Sequence, residues 1–316
     1  MTFKFKIPVL IDHKQIDEIL KQEDDLQSLF QKKEVECVLF DFSDAAVLSA
    51  SNVLLIKKML YVLRGSGIKS IAEYGEDRGR KQWFLETMRL ARSSKKSSDA
   101  EAYLDTFRVP VESCISADDS LKAVNKLVPI IRSKYHPSED ILKAINWILW
   151  EIVDNAGNHG YRTMEFNQNY PQPVFFCAYA YNDFIDIAVL DMGQGIQQSF
   201  LTSGKEKYKS VTNEEALRLC IQDKESGHPK GSPGFGLYGC SEIVRQSGGR
   251  LDIISGPNRL LLNGRALTVD SCYNLSGTLV SIRIPAQFAL DLKGIFGENS
   301  VIATEDIDSL FGDFNG

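Results

Sequence analysis

Apolar positions along the first hundred residues alternate between two spacings. Phe3–Leu10 reads as a strand, and Gln15–Gln31 as a polar amphipathic helix. The run Val35–Phe42 is apolar but short, which suits a buried strand better than a helix. From Ser51 to Arg64 the spacing turns helical, with Val53, Leu54, Ile56, Met59, Leu60 and Leu63 on shared faces. Glycines at 65 and 67 then supply a stop signal. Ile68–Tyr74 reads as a further strand and Arg80–Arg92 as a further helix. Strands separated by helices predict a sheet with parallel pairing. Ser93–Glu101 is a polar surface loop, and Tyr103–Val111 is again structured.

A division of the chain is expected near Ser116, giving domains 1–115 and 116–287 with an acidic tail over 288–316. Ser116 and Asp119 resemble a capping box that opens a helix through Lys134. His136–Pro137 breaks it. Ser138 can cap the next helix, with Glu139 and Asp140 in its dipole-favoured first turn. Val174–Tyr181 and Phe184–Leu190 flank Asn182–Asp183 as a hairpin. Arg250–Ser255, Arg259–Leu262, Arg265–Val269 and Thr278–Ile284 read as four strands, the middle two joined by Asn263–Gly264, a strong hairpin signal. No internal repeat is present.

The helix Ile141–Gly160 carries the first chemical signal. At 100° per residue, Ile145, Ile148, Leu149, Ile152 and Ala156 share one arc. Glu151, Asn155, Asn158 and His159 share another. That second face holds a carboxylate, two amides and an imidazole, which suits a metal or a phosphate. From spacing alone it also suits a solvated face.

Two glycine-bearing segments follow. The apolar strand Phe184–Leu190 runs into Asp191-Met-Gly193-Gln-Gly195, a turn that lets backbone approach a flat ligand. Gly231 to Gly239 (GSPGFGLYG) opens a helix predicted over Leu237–Gln246, and its amides are suited to phosphate. The spacing Gly234, Gly236, Gly239 matches a dinucleotide-binding turn, but no strand precedes it. The protein-kinase glycine loop fails as well, for want of its companion motifs.

Composition narrows the class of protein. The chain has 316 residues, 43% hydrophobic and 25% charged, with a net charge of −6. That is a globular composition, and it gives no strong signal for nucleic-acid binding, because no basic segment stands out. The six cysteines are scattered without a CxxC pair, which argues against a zinc site and for free thiols. No apolar run approaches the ~20 residues of a membrane span, and the N-terminus lacks the apolar core of a signal peptide. A cytoplasmic protein without membrane association is expected.

Taken in order, these segments resemble the Bergerat ATPase superfamily of histidine kinases, DNA gyrase B, heat-shock chaperones and mismatch-repair proteins. Glu151-Ile-Val-Asp-Asn155-Ala-Gly-Asn-His159 resembles its N-box, Asp191-Met-Gly193-Gln-Gly195 its first glycine box, Gly231–Gly239 its second, and Gly277-Thr278 its terminal Gly-Thr element. The resemblance implies an α+β protein. Its second domain would be an α/β sandwich, a mixed sheet covered by helices on one face. It also implies ATP and Mg²⁺ as ligands. Asp191 would accept from the adenine amino group, with Thr278 assisting. Gly193, Gly195 and Ile196 would pass the base. Asn155 would ligate Mg²⁺. Gly234, Phe235, Gly236 and Leu237 would surround the phosphates. Asn158 and His159 would lie near them, His159 equally suiting a structural role. Glu151 would be the general base. His228 and Lys230 fall in the lid and would either neutralise phosphate charge or simply be exposed.

The N-box tail, Asn155 to Tyr161, is most similar to that of anti-sigma-factor serine kinases. The upstream run Val38–Asn52 resembles a STAS domain, with Ser51 at the position of the phosphorylated serine. It departs from that motif at Leu48 and Asn52, and the plainer reading is that Ser51 caps its helix. Three functions are carried forward. One is a protein serine or threonine kinase acting in regulation or signalling. Another is an ATP-dependent switch with slow hydrolysis. The third is an interaction module. Each implies a protein partner, and a homodimer is an analogy only.

Overall fold

The computed structural model describes residues 1–7, 14–44, 48–75, 107–114, 117–160, 173–227 and 236–296. The fold is α+β. Strands β1 (Thr2–Lys6), β2 (Cys37–Asp41) and β3 (Lys69–Glu73) form a parallel sheet in that order. Helices α1 (Lys14–Gln31) and α2 (Ala50–Gly65) cross between them. Both pack on one face of it, as same-handed crossovers between parallel strands require.

A second sheet follows. It contains β4 (Phe107–Cys114), β5 (Val174–Ala180), β6 (Phe184–Asp191), β7 (Arg250–Asn263) and β8 (Ala266–Pro285), in the order β4-β5-β6-β8-β7. Every pairing is antiparallel, where a mixed sheet was expected. Strand β4 lies ahead of the division expected near Ser116, yet it is hydrogen-bonded into this second sheet. The four short strands expected after residue 250 are two long ones, with register shifts around Gly256.

Helices α3 (Ala117–Tyr135), α4 (Glu139–Gly160) and α7 (Gly236–Ser247) cover the front of this sheet. Ser138 caps α4 as expected, accepting from the Ile141 amide at 3.4 Å. Two short helices, α5 (Gly195–Leu201) and α6 (Asn213–Leu219), lie between β6 and α7. A further short helix, α8 (Leu292–Phe296), follows β8.

The rear of the second sheet is also covered, by α1 and α2. Side chains of β6 alternate: Ile185, Ile187 and Val189 enter the front core, while Ala188 and Leu190 join the rear one. A strand buried on both faces is mostly apolar, as β6 is apart from Asp186 and its terminal Asp191. The rear core also takes Phe175, Cys177, Tyr179, Ile254 and Leu279. The layers are therefore sheet, helices, sheet, helices.

The N-terminus of α2 docks on the polar end of the rear face. Buried Asp186 accepts from the Ala50 amide at 3.2 Å and lies 3.4 Å from the Arg283 guanidinium. Further along, Lys58 of α2 and Glu23 of α1 form a buried ion pair at 2.8 Å. The cap of α2 is Ser49, whose hydroxyl accepts from the Asn52 amide at 3.3 Å. Ser51, expected as the cap, is instead buried inside the first turn, 2.9 Å from the Ser49 hydroxyl. The segments expected at Arg80–Arg92 and Ser93–Glu101, and the cap at Ser116, lie outside the described residues. Among the described residues, no helix is long and apolar enough to cross a membrane.

Candidate functional site

The front of the second sheet holds a pocket of about 820 Å³, open mouth included. Among the stretches of chain that build it are four that the sequence singled out. Helix α4 contributes Glu151, Ile152, Asn155 and Ala156. Strand β6 and the turn after it contribute Val189, Asp191, Gly195 and Ile196. The start of α7 adds Gly236 and Leu237, and β8 adds Thr278 and Val280.

Asp191 ends β6 because the chain turns on its own side chain. Its carboxylate accepts from the Gly193 amide at 2.8 Å, an Asx-type turn. Gly193 is thus tied to Asp191 and is not itself part of the pocket lining. Directly across the ladder lies Thr278, whose backbone and side chain add hydrogen bonds to the carboxylate. Burial nevertheless pushes the carboxyl up to about 7, against the lowering effect of those bonds. Gly277 lets the two strands close here. Its φ of +101° suits glycine, and an added Cβ would sit 2.9 Å from the Asp191 carbonyl carbon and the Met192 Cα. The buried Ser255 hydroxyl stitches the turn to the sheet, accepting from the Ile196 amide at 2.9 Å and donating to the Gly277 carbonyl at 3.2 Å.

On the opposite wall, α4 faces its core with Ile145, Ile148, Leu149, Ile152 and Ala156, the arc read from the sequence. Glu151 and Asn155, half-buried one turn apart, face the pocket. Burial pushes the Glu151 carboxyl up to about 7, and neighbouring Asp154 adds to the rise. Helix α7 starts against these two side chains. An added Cβ on Gly236 would overlap the Glu151 carboxylate and lie 3.0 Å from the Asn155 amide nitrogen, so the glycine leaves room beside both.

The structure therefore brings Glu151, Asn155, Asp191, Gly195, Ile196, Gly236, Leu237 and Thr278 around one cavity. Asn158 and His159 continue α4, but their side chains lie outside the described residues, as do His228, Lys230, Gly234 and Phe235. Sequence reasoning missed one wall altogether, made by Ser199, Phe200, Cys220 and the stretch Glu225-Ser226-Gly227. A capping-box signal at Thr212 and Glu215 was available for α6 and is realised there. Nothing local marks residues 225–227.

The pocket is amphipathic. Ile152, Val189, Ile196, Phe200, Leu237 and Val280 give it apolar sides suited to a flat ring, and Asp191 with Thr278 gives a polar floor. Glu151 and Asn155 offer oxygen atoms of the kind a hard cation prefers. Among the described residues, no group of three or more His, Cys, Asp or Glu gathers as a metal site. No family model matches the chain, and no curated protein matches its sequence.

Proposed function

We propose that this pocket binds ATP with Mg²⁺ in the manner of the Bergerat superfamily, and that the chain is an ATP-dependent regulatory protein which transfers the γ-phosphoryl group to water or to a protein hydroxyl. One observation carries the reading. Four segments, separated by up to 127 residues of sequence, were assigned to one ligand by motif alone, and they line a single cavity.

The chemistry of the lining supports the same ligand. Asp191 and Thr278 form a small polar floor between apolar walls, as a purine edge requires. Asn155 supplies an oxygen for Mg²⁺, which when bound would neutralise charge on the phosphates. Glu151 lies on the same helix one turn away. Its carboxyl, held near 7 by burial, is matched to a general base at neutral pH. It is suited to orient or deprotonate an attacking water or hydroxyl.

The test is a thermal-shift and calorimetric comparison of ATP, ADP, GTP and adenosine with and without Mg²⁺. A specific ligand raises the melting temperature by mass action, by about 2.7 kcal/mol of stability at a hundred times its dissociation constant. ATP with Mg²⁺ is expected to shift the protein most. A melting temperature unmoved by any nucleotide would reject the assignment. Incubation with γ-labelled ATP then separates the reactions: label retained on protein marks a kinase, and free phosphate alone marks a hydrolytic switch.

A further inference from the structure

The pocket wall that sequence reasoning missed is held from outside the cavity. Glu225, Ser226 and Gly227 belong to no helix or strand. Three side chains from the 3₁₀ turn Glu206–Tyr208 and the residue before it fasten them. Lys207 Nζ donates to both Glu225 carboxylate oxygens, at 2.8 and 2.7 Å. The Tyr208 hydroxyl donates to the same carboxylate. Lys205 Nζ donates to the Ser226 carbonyl at 2.8 Å.

The fastening runs back to the pocket from its other end. The buried Tyr208 ring stacks edge-on against Phe200, with centroids 4.7 Å apart, and Phe200 lines the cavity. Both lysines lie over the Tyr208 ring, at 5.6 and 4.8 Å from its centroid. Gly227 closes the loop on Ser199. An added Cβ there would come within 2.6 Å of the Ser199 hydroxyl and 2.8 Å of its carbonyl carbon. The wall is thus a ring of contacts: Ser199 and Phe200, then Tyr208, then Glu225, then Gly227 back to Ser199. Isolated surface ion pairs contribute little, but a two-pronged pair inside a network fixes geometry.

We propose that the Lys207–Glu225–Tyr208 cluster is a latch that positions the 225–227 wall and so sets how long a nucleotide stays in the pocket. The claim rests on the nucleotide reading above. These are positioning residues, since their contacts are to the wall.

The test uses the full chain and a fluorescent ribose-labelled ATP with Mg²⁺. Lys207 is more than half exposed, so Lys207→Met and Lys207→Arg are expected to fold. Lys207→Met should raise the dissociation rate at least five-fold and quicken amide hydrogen exchange over 225–227, with exchange in β6 unchanged. Lys207→Arg, which restores a two-pronged partner, should return both towards the wild type. Glu225→Ala should match or exceed Lys207→Met. If the wild type binds the nucleotide and its dissociation rate is unchanged in Lys207→Met and Glu225→Ala, the latch is overturned and the nucleotide reading stands. If the wild type binds no nucleotide, both are overturned. Uniformly faster exchange across the sheet would show a merely structural role and would also overturn the latch.

Discussion

Replacing Asp191 by asparagine should flatten the pH dependence of folding stability. The carboxyl is 4% exposed, and burial lifts its pKa to about 7 from 3.8. Between those values the native state holds a proton that the unfolded chain releases. Stability is then fully present below pH 3.8 and is lost as the pH rises through 7. The gap is roughly three decades, each worth about 1.4 kcal/mol, so the ionised carboxylate costs the fold about 4 kcal/mol. Within an accessible range, pH 5 to 8, roughly two of those decades are traversed, or about 3 kcal/mol. Asparagine keeps the shape and cannot ionise. Urea unfolding at pH 5, 6, 7 and 8 gives the stability of both proteins. Glu151, also raised to about 7, contributes the same slope to each and cancels in the difference. Wild-type stability should fall relative to Asp191→Asn by about 2–3 kcal/mol across the range. Curves that stay parallel within about 0.5 kcal/mol would refute the assignment of a destabilising buried carboxylate.

Three other perturbations follow from the geometry. Gly236→Ala drives a methyl group into the Glu151 carboxylate, which is the far end of a flexible side chain; the melting temperature should move little, while nucleotide affinity falls at least ten-fold, about 1.4 kcal/mol by calorimetry. Glu151→Gln should retain ATP but lower turnover by about 10²–10⁴-fold, and wild-type turnover should rise with pH to a plateau above about 7 as the carboxyl ionises; a variant with full phosphate release would remove Glu151 as the base. Lys58→Met leaves Glu23 buried without its cation and should cost about 3–5 kcal/mol in urea unfolding; the double variant Lys58→Met with Glu23→Leu should recover most of that loss, and a single variant as stable as wild type would show that the pair contributes nothing.

The legible parts of the fold were those with a long period. Helix α4 runs 22 residues, long enough for its apolar arc and its Glu151–Asn155 face to separate cleanly. Strand β6 announced itself by an apolar run, broken at Asp186, that ends in Asp191. Helices α5 and α6 have seven residues each, too few for a periodic signal to rise above chance. Strands β7 and β8 read as four because the bulge at Gly256 interrupts their alternation. Strand direction was legible where a crossover helix or a hairpin turn set it, as in β1–β3, β5–β6 and β7–β8, but strand order was not: β8 enters between β6 and β7, and nothing in a strand's own residues states which neighbour it will find. The floor and one wall of the pocket were carried by short motifs, whereas Glu225 belongs to it only through side chains 17 and 18 residues away.

The helical layer between the two sheets leaves neither side independent. Helices α1 and α2 bury their apolar residues against Phe5, Val38 and Phe40 on one side and Phe175, Leu190, Ile254 and Leu279 on the other. Cutting the chain ahead of Phe107 would strip that cover, and the bared sheet would present a wide greasy plane to solvent, a recipe for clumping. Heated intact, the protein should melt in one cooperative step, with strands β1–β3, helices α1 and α2 and the pocket losing structure together.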